Sequence, residues 1–255
     1  MTLKAMVTGA SGGIGLEFAT RLAKDGYHVT LVARNASKLA EVVKTLGEGH
    51  RFIAADLSEP ADTERVAADV RASEYNLLVN NAGIGVYGRF EDASLPSMRS
   101  MMRLNMDSMV DLSHAFLQKA KSGDALMNVA STLALLAFPG AAVYCASKAF
   151  VTTFSEGLWF ENKERGVFVC ALLPGVTKTN FHAAAGGKPD QEPPKSITQS
   201  ATAVVDVALH ALKQRSSPTI LTSFTNKAMV FFSTRLVPRK AMVTMMGGQS
   251  PALKN

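Results

Sequence analysis

What most constrains this chain is an alternation. Short runs rich in β-branched and apolar residues are separated by segments whose apolar residues recur three and four apart. The runs are "KAMVT" (4–8), "HVTLVA" (28–33), "RFIAA" (51–55), "NLLVN" (76–80), "ALMNVAS" (125–131) and "VFVCALL" (167–173), with "PTIL" (218–221) as a candidate seventh. "GLEFATRLAKDG" (15–26) and "ASKLAEVVKTLG" (36–47) carry the helical spacing, and Gly26 and Gly47 stand where each helix should stop. Strands apolar almost throughout are covered on both faces, which is the mark of a parallel sheet. The predicted fold class is α/β, a single-domain, doubly wound parallel sheet flanked by helices on both faces. Its ligand is expected at the carboxyl ends of the strands.

A chain of 255 residues suffices for one such domain, and no linker marks a second. We place the domain at 1–225, with a substrate loop at about 176–200 and a basic, Met/Phe-rich tail at 226–255. The Gly/Pro-rich piece "AAAGGKPDQEPPKS" (183–196) reads as a mobile loop. Cys145 and Cys170 lie inside apolar runs, as inert thiols of a reduced protein do. No spacing of Cys and His suits a metal. The chain opens without a signal-peptide pattern, and the expected localisation is cytoplasmic. Residues 125–147 are uncharged and long enough to span a bilayer. They contain Asn128, Ser131, Thr132, Tyr144 and a central Pro139–Gly140, and read instead as strand, loop and helix start.

The formal charge of +6 is unevenly placed. Lys227, Arg235, Arg239, Lys240 and Lys254 stand in 226–255 without a single acid, so almost all of the excess belongs to the tail. The body has no basic stripe interleaved with aromatics, and no nucleic-acid partner is expected.

"TGASGGIG" (8–15) joins the first strand to the first helix. Glycines there permit a tight turn and let backbone N–H groups approach a pyrophosphate at the helix N-terminus. The spacing is G-x-x-x-G-x-G, which differs from the G-x-G-x-x-G fingerprint. Gly9, Ser11, Gly12, Gly13, Ile14 and Gly15 are the candidate nucleotide contacts. Further along, "VYCASKAF" (143–150) sets Tyr144 and Lys148 four apart, on one face of a helix. A phenol with a pKa near ~10 is a poor acid–base group at neutral pH. A neighbouring ammonium is expected to lower it towards the working range. Ser131, at the end of the fifth run, is placed to hold a substrate oxygen.

Taken together, "TGASGGIG", "NNAG" (80–83), Asn105, Ser131, "YCASK" (144–148) and Pro174–Gly175 resemble, in order and spacing, the motif set of the short-chain dehydrogenase/reductase family, from the first strand to about residue 180. The chain looks most similar to the branch that reduces ketones and acyl-derived carbonyls. The resemblance implies a Rossmann-like fold, a nicotinamide cofactor and a homodimer or homotetramer. It implies a catalytic set of Asn105, Ser131, Tyr144 and Lys148, with Lys148 also on the nicotinamide ribose and Asn105 holding a water that relays protons. Asn80, Ala82 and Gly83 would lie along the cofactor, with Asn81 bracing neighbouring strands. Asp56 and Leu57 resemble the adenine-contacting pair, although an Asp before "LSEP" also suits a helix cap. Pro174 and Gly175 would shape the nicotinamide pocket, with Val176 and Thr177 at its carboxamide and Thr179 the alternative to Thr177.

The second run ends "VARN": Ala33, then Arg34, with no acid to accept from a ribose 2′-hydroxyl. An arginine there suits a 2′-phosphate, so NADP(H) is expected over NAD(H). The second basic residue often found in this family's glycine loop is absent, and Gly12 stands in its place. "TLALLAFPG" (132–140), Phe181 and His182 would wall a pocket for a small apolar ketone, aldehyde or alcohol. The expected activity is NADP(H)-dependent interconversion of such a carbonyl and its alcohol, with Tyr144 as proton donor and acceptor. A non-catalytic nucleotide-binding protein is the alternative from another class. The tail is expected to form a lid or subunit interface in two helices parted at Pro238, ahead of the alternative of peripheral contact with an anionic membrane.

Overall fold

The computed structural model describes residues 2–185, 197–250 and 253. Seven parallel strands form one sheet in the order β3-β2-β1-β4-β5-β6-β7. They are β1 (Lys4–Thr8), β2 (His28–Ala33), β3 (Arg51–Ala54), β4 (Leu77–Asn80), β5 (Ala125–Val129), β6 (Phe168–Leu173) and β7 (Thr219–Leu221). Every run singled out above contains a strand, the first two at full length and the others shorter by one or two residues. The helices are α1 (Gly13–Lys24), α2 (Ala36–Leu46), α3 (Pro60–Ala72), α4 (Leu95–Met102), α5 (Ser108–Leu117), α6 (Ala142–Asn162), α7 (Phe181–Ala184), α8 (Ala201–Gln214), α9 (Phe224–Arg235) and α10 (Arg239–Gln249).

Strand alternation divides the core into two layers. Val7, Leu31, Val79, Met127 and Leu172 pack with Phe18 and Leu22 of α1 and Val204 and Ala208 of α8. Met6, Val32, Leu78, Leu126 and Val169 face the other way, against Val66 of α3 and Leu112 and Phe116 of α5. Both faces are therefore covered, as continuous apolar strands require. From β1 the chain winds outward to β3 on one side and to β7 on the other. The point where direction reverses lies between β1 and β4, and a crevice forms there at the carboxyl ends.

Two local features position the site. Helix α4 continues into α5 through a π-helical turn, Arg103–Asp107, which carries Asn105. Beyond β7, Pro238 caps α10 and parts it from α9, as the tail sequence predicts. Helix α10 is held by the buried Met242 and by Gly247, which lies beside Pro139. Of the Gly/Pro-rich piece 183–196, everything from residue 186 on falls outside the described residues. Among the described residues no helix is long and apolar enough to cross a membrane, and no group of His, Cys, Asp and Glu is placed to hold a metal ion.

Candidate active site

The glycine turn is shaped by contacts that exclude side chains. Gly9 has φ +67°, and a Cβ there would stand 2.8 Å from Asn81 Nδ2 and 3.0 Å from the Ala82 Cα. At Gly15 a Cβ would be 2.5 Å from Asn81 Nδ2 and closer still to the Gly9 carbonyl. Gly13 has φ +56° and lies under the Thr179 methyl. Helix α1 then starts with Gly12 as its N-cap, with no side-chain cap and no acid in the first turn. Its first N–H groups and the positive end of its dipole are thus left to an anion. Ser11 and Ile14 sit on this turn, Ile14 packing into the core beneath it. These features fit the pyrophosphate of a dinucleotide.

The β4 end locks onto this turn. Thr8 Oγ1 accepts from the backbone N–H groups of Asn81 and Ala82, each at 2.9 Å. Asn81 Nδ2 donates to the Thr8 carbonyl at 2.9 Å, which is the bracing role expected of it. The Asn80 side chain is buried. It points into the core, where Nδ2 donates to Asn128 Oδ1 at 3.0 Å and Ser113 Oγ at 3.2 Å, and Oδ1 has no partner. Only its backbone faces the crevice end of the strand.

Two of the four predicted catalytic residues, Asn105 and Lys148, meet beside Gly83. A Cβ on Gly83 would be 3.2 Å from both Asn105 Oδ1 and Lys148 Nζ. Asn105 is fully buried, and its amide clamps Ile84: Oδ1 accepts from the Ile84 N–H at 3.1 Å, and Nδ2 donates to its carbonyl at 3.0 Å. Nδ2 also donates to Ser147 Oγ at 3.1 Å, which in turn donates to the Tyr144 carbonyl at 2.7 Å. Both amide hydrogens of Asn105 therefore have protein partners. Ser131 accepts from the Leu133 N–H at 3.2 Å, and its side chain acts to lower the Tyr144 pKa.

The expected depression of the phenol is overturned. Burial pushes the Tyr144 pKa above its ordinary value, the neighbouring Tyr87 hydroxyl adds to this, and the Ser131 hydrogen bond opposes it. Burial pulls the Lys148 ammonium down to about 8. Lys148 Nζ lies 5.9 Å from the Tyr144 ring centroid and donates to the Val129 carbonyl at 2.9 Å. For each group burial is the largest cause of its shift.

An aromatic wall surrounds the phenol. Tyr87 meets the Tyr144 ring edge-on at 6.4 Å, and Phe181 lies 5.7 Å from it. His182 stacks obliquely on Tyr87 at 5.8 Å, with its Nε2 buried and without a partner among the described residues. Ile84, Val86, Leu133 and Phe138 complete an apolar cluster around Tyr144. Sequence reasoning missed Tyr87, which belongs to no motif, and Ser147, which lies within "YCASK" but gains its role from Asn105, remote in sequence.

At the β2 end, Arg34 is largely exposed and lies 3.8 Å from Asp56 Oδ2. Asp56 Oδ1 also accepts from the Ser58 backbone and hydroxyl, so Asp56 shapes a turn, and Glu59 is the N-cap of α3. The Leu57 side chain is buried in the core, which leaves only its backbone for an adenine. Lys38, unremarked in the sequence, reaches back over the glycine turn, with Nζ 3.8 Å from where a Gly12 Cβ would stand. Beyond β6, Pro174 and Gly175 lie next to the N-terminal turn of α9, where the Asn226 side chain abuts Gly175. Val176 is partly exposed, Thr177 donates to the Gly175 carbonyl at 3.0 Å, and Thr179 covers Gly13.

A doubly wound sheet with this turn and this Ser–Tyr–Lys grouping at its strand ends defines a dinucleotide-dependent oxidoreductase class. The family model described as "short chain dehydrogenase" matches residues 4–189. The chain belongs to the short-chain dehydrogenase/reductase family. It is 30% identical over 212 residues to the very-long-chain 3-oxoacyl-CoA reductase of Anas platyrhynchos, covering 79% of this chain and 68% of that one. A short-chain dehydrogenase from Sphingobium yanoikuyae, solved in complex with NADPH, superposes with a TM-score of 0.81 at 29% identity, covering 89% of this chain and 90% of its own. The bulky-bulky ketone specific alcohol dehydrogenase from Comamonas testosteroni superposes with a TM-score of 0.76 at 26% identity, with 92% and 95% covered.

Proposed function

We propose that this oxidoreductase interconverts an apolar ketone or aldehyde and its alcohol, with NADP(H) preferred over NAD(H). The carrying observation is the buried Tyr144 phenol, with Lys148 Nζ 5.9 Å from its ring centroid, inside a wall of Tyr87, Phe181, Leu133 and Phe138. A bound nicotinamide supplies or accepts the hydride. Ser131 and Tyr144 would both hydrogen-bond the substrate oxygen, fixing the carbonyl against the wall. In the reducing direction that oxygen gains negative charge, and Tyr144 donates its proton there. The high pKa of the buried phenol keeps it protonated and ready to donate. The phenolate left behind is opposed by the Lys148 ammonium. Asn105 holds the Ile84 backbone. Two relatives' names agree with a carbonyl substrate, one a 3-oxoacyl-CoA reductase and one a ketone-specific alcohol dehydrogenase.

The preference for NADP(H) rests on Arg34 and Lys38, two cations around the end of β2, and on the NADPH held by the Sphingobium structure. The test follows NADPH and NADH absorbance with the pure protein and a panel of aryl ketones, aliphatic aldehydes and β-keto esters. The expected result is substrate-dependent loss of NADPH, with much slower loss of NADH. Equal rates with the two cofactors would remove the preference, and binding of NADPH without turnover across a broad panel would favour the non-catalytic reading.

A further inference from the structure

We propose that the outer face of α9, with the turn into α10, docks on an anionic lipid surface. Phe224, Ala228, Phe231 and Arg235 recur at i, i+4, i+7 and i+11 and therefore share one side of α9. Lys227 and Phe232 flank that stripe. The side faces solvent: Phe224 is 84% exposed, Leu236 64%, Phe231 57% and Phe232 56%. The opposite side packs on the domain, through the buried Val230 and through Asn226 against Gly175. Four large apolar side chains exposed on adjoining turns mark an interaction surface.

Charge selects the occupant. Residues 224–250 contain Lys227, Arg235, Arg239 and Lys240 and no acid. A second copy docked across a two-fold axis would set this cationic patch against itself. A layer of acidic headgroups neutralises the cations instead, while the phenyl rings enter the boundary between headgroups and acyl chains. The placement also serves the site. Helix α9 starts beside Gly175, and Gly247 near the end of α10 lies beside Pro139, so the helix pair borders the candidate pocket on two sides. Docking by this hairpin would hold the pocket rim against the bilayer that dissolves an apolar substrate.

The test sediments the full chain with vesicles of phosphatidylcholine alone and of phosphatidylcholine with phosphatidylglycerol. Binding to the anionic vesicles only, weakened by added salt, is the expected result. Each cation near such a surface is worth about five-fold in partitioning, so Lys227→Gln with Arg235→Gln weakens binding about 25-fold. Phe231→Ser with Phe232→Ser abolishes it. Both variants keep the wild-type melting temperature, because the substituted side chains face solvent. Failure of the wild type to bind anionic vesicles overturns the proposal, as does undiminished binding by both variants. A wild type that ignores vesicles but self-associates through Phe231 and Phe232 overturns it in favour of a second copy.

Discussion

Lys38 Nζ lies 3.8 Å from the point where a Cβ on Gly12 would stand, so a lysine of α2 overhangs the turn that opens α1. Asn35 fixes that reach: its Oδ1 accepts from the Lys38 backbone N–H at 2.9 Å and caps the helix. The charge missing from the glycine loop thus arrives from the neighbouring helix. Lys38→Met should weaken NADPH binding about 10-fold, in line with the loss of one charge-assisted contact, and leave NADH nearly unchanged. Fluorescence titration with both cofactors measures this, and an unaltered ratio would remove Lys38 from the 2′-phosphate site.

Removing the Tyr144 hydroxyl tests the acid–base role. Tyr144→Phe should keep NADPH affinity and lower kcat by about 100-fold to 10,000-fold, the span associated with a positioned proton donor. A variant that retains wild-type turnover would sink the assignment.

Lys148 makes stability and activity pull apart. Its folded pKa of about 8 lies below the unfolded value, so the unfolded chain binds the proton more tightly. Below pH 8 the folded protein carries the full penalty of a buried ammonium. The penalty fades as pH rises through about 8 towards the unfolded value near ~10.4. Lys148→Met should therefore raise stability at pH 7 by up to about 3 kcal/mol while abolishing activity. The gain over wild type should shrink between pH 8 and about 10.4. Urea titrations across that range provide the check, and a gap independent of pH would contradict the argument.

The glycine turn discriminates between neighbouring positions. Gly15→Ala drives a Cβ into the Gly9 carbonyl and Asn81, both backbone-anchored, and should cost about 3 kcal/mol. Gly12 has an extended backbone, with nothing nearer its Cβ position than the mobile end of Lys38. Gly12→Ala should therefore leave the melting temperature within a few degrees of wild type. Thermal denaturation of the two variants side by side tests the contrast.

The sheet was readable because its strands are buried on both faces and so are apolar without interruption, as in "VFVCALL". The order of glycines, Ser131, Tyr144 and Lys148 was readable because the glycines and Ser131 follow strands β1 and β5, and the Tyr and Lys stand four apart in the first turns of α6. The π-helical turn was not. "RLNMD" contains no helix breaker, and Asn105 is held by Ile84 and Ser147, which come from other parts of the chain. The inward rotation of Asn80 and the reach of Lys38 were hidden for the same reason: side-chain direction is decided by partners remote in sequence. The direction of the Tyr144 shift was misjudged because spacing reveals an ammonium nearby but says nothing of how deeply both groups are buried.

Asn226 against Gly175 bears on the order in which a growing chain acquires its properties. The clasp between Thr8 and Asn81 needs only β1 and β4, and it can form once the first third of the protein has left the ribosome. The border of the pocket at Gly175 waits for α9, and the one at Pro139 for α10. During synthesis, the clasp under the glycine turn precedes a framed substrate pocket by more than half the chain. A product truncated after β6 would accordingly keep the clasp and lack both borders.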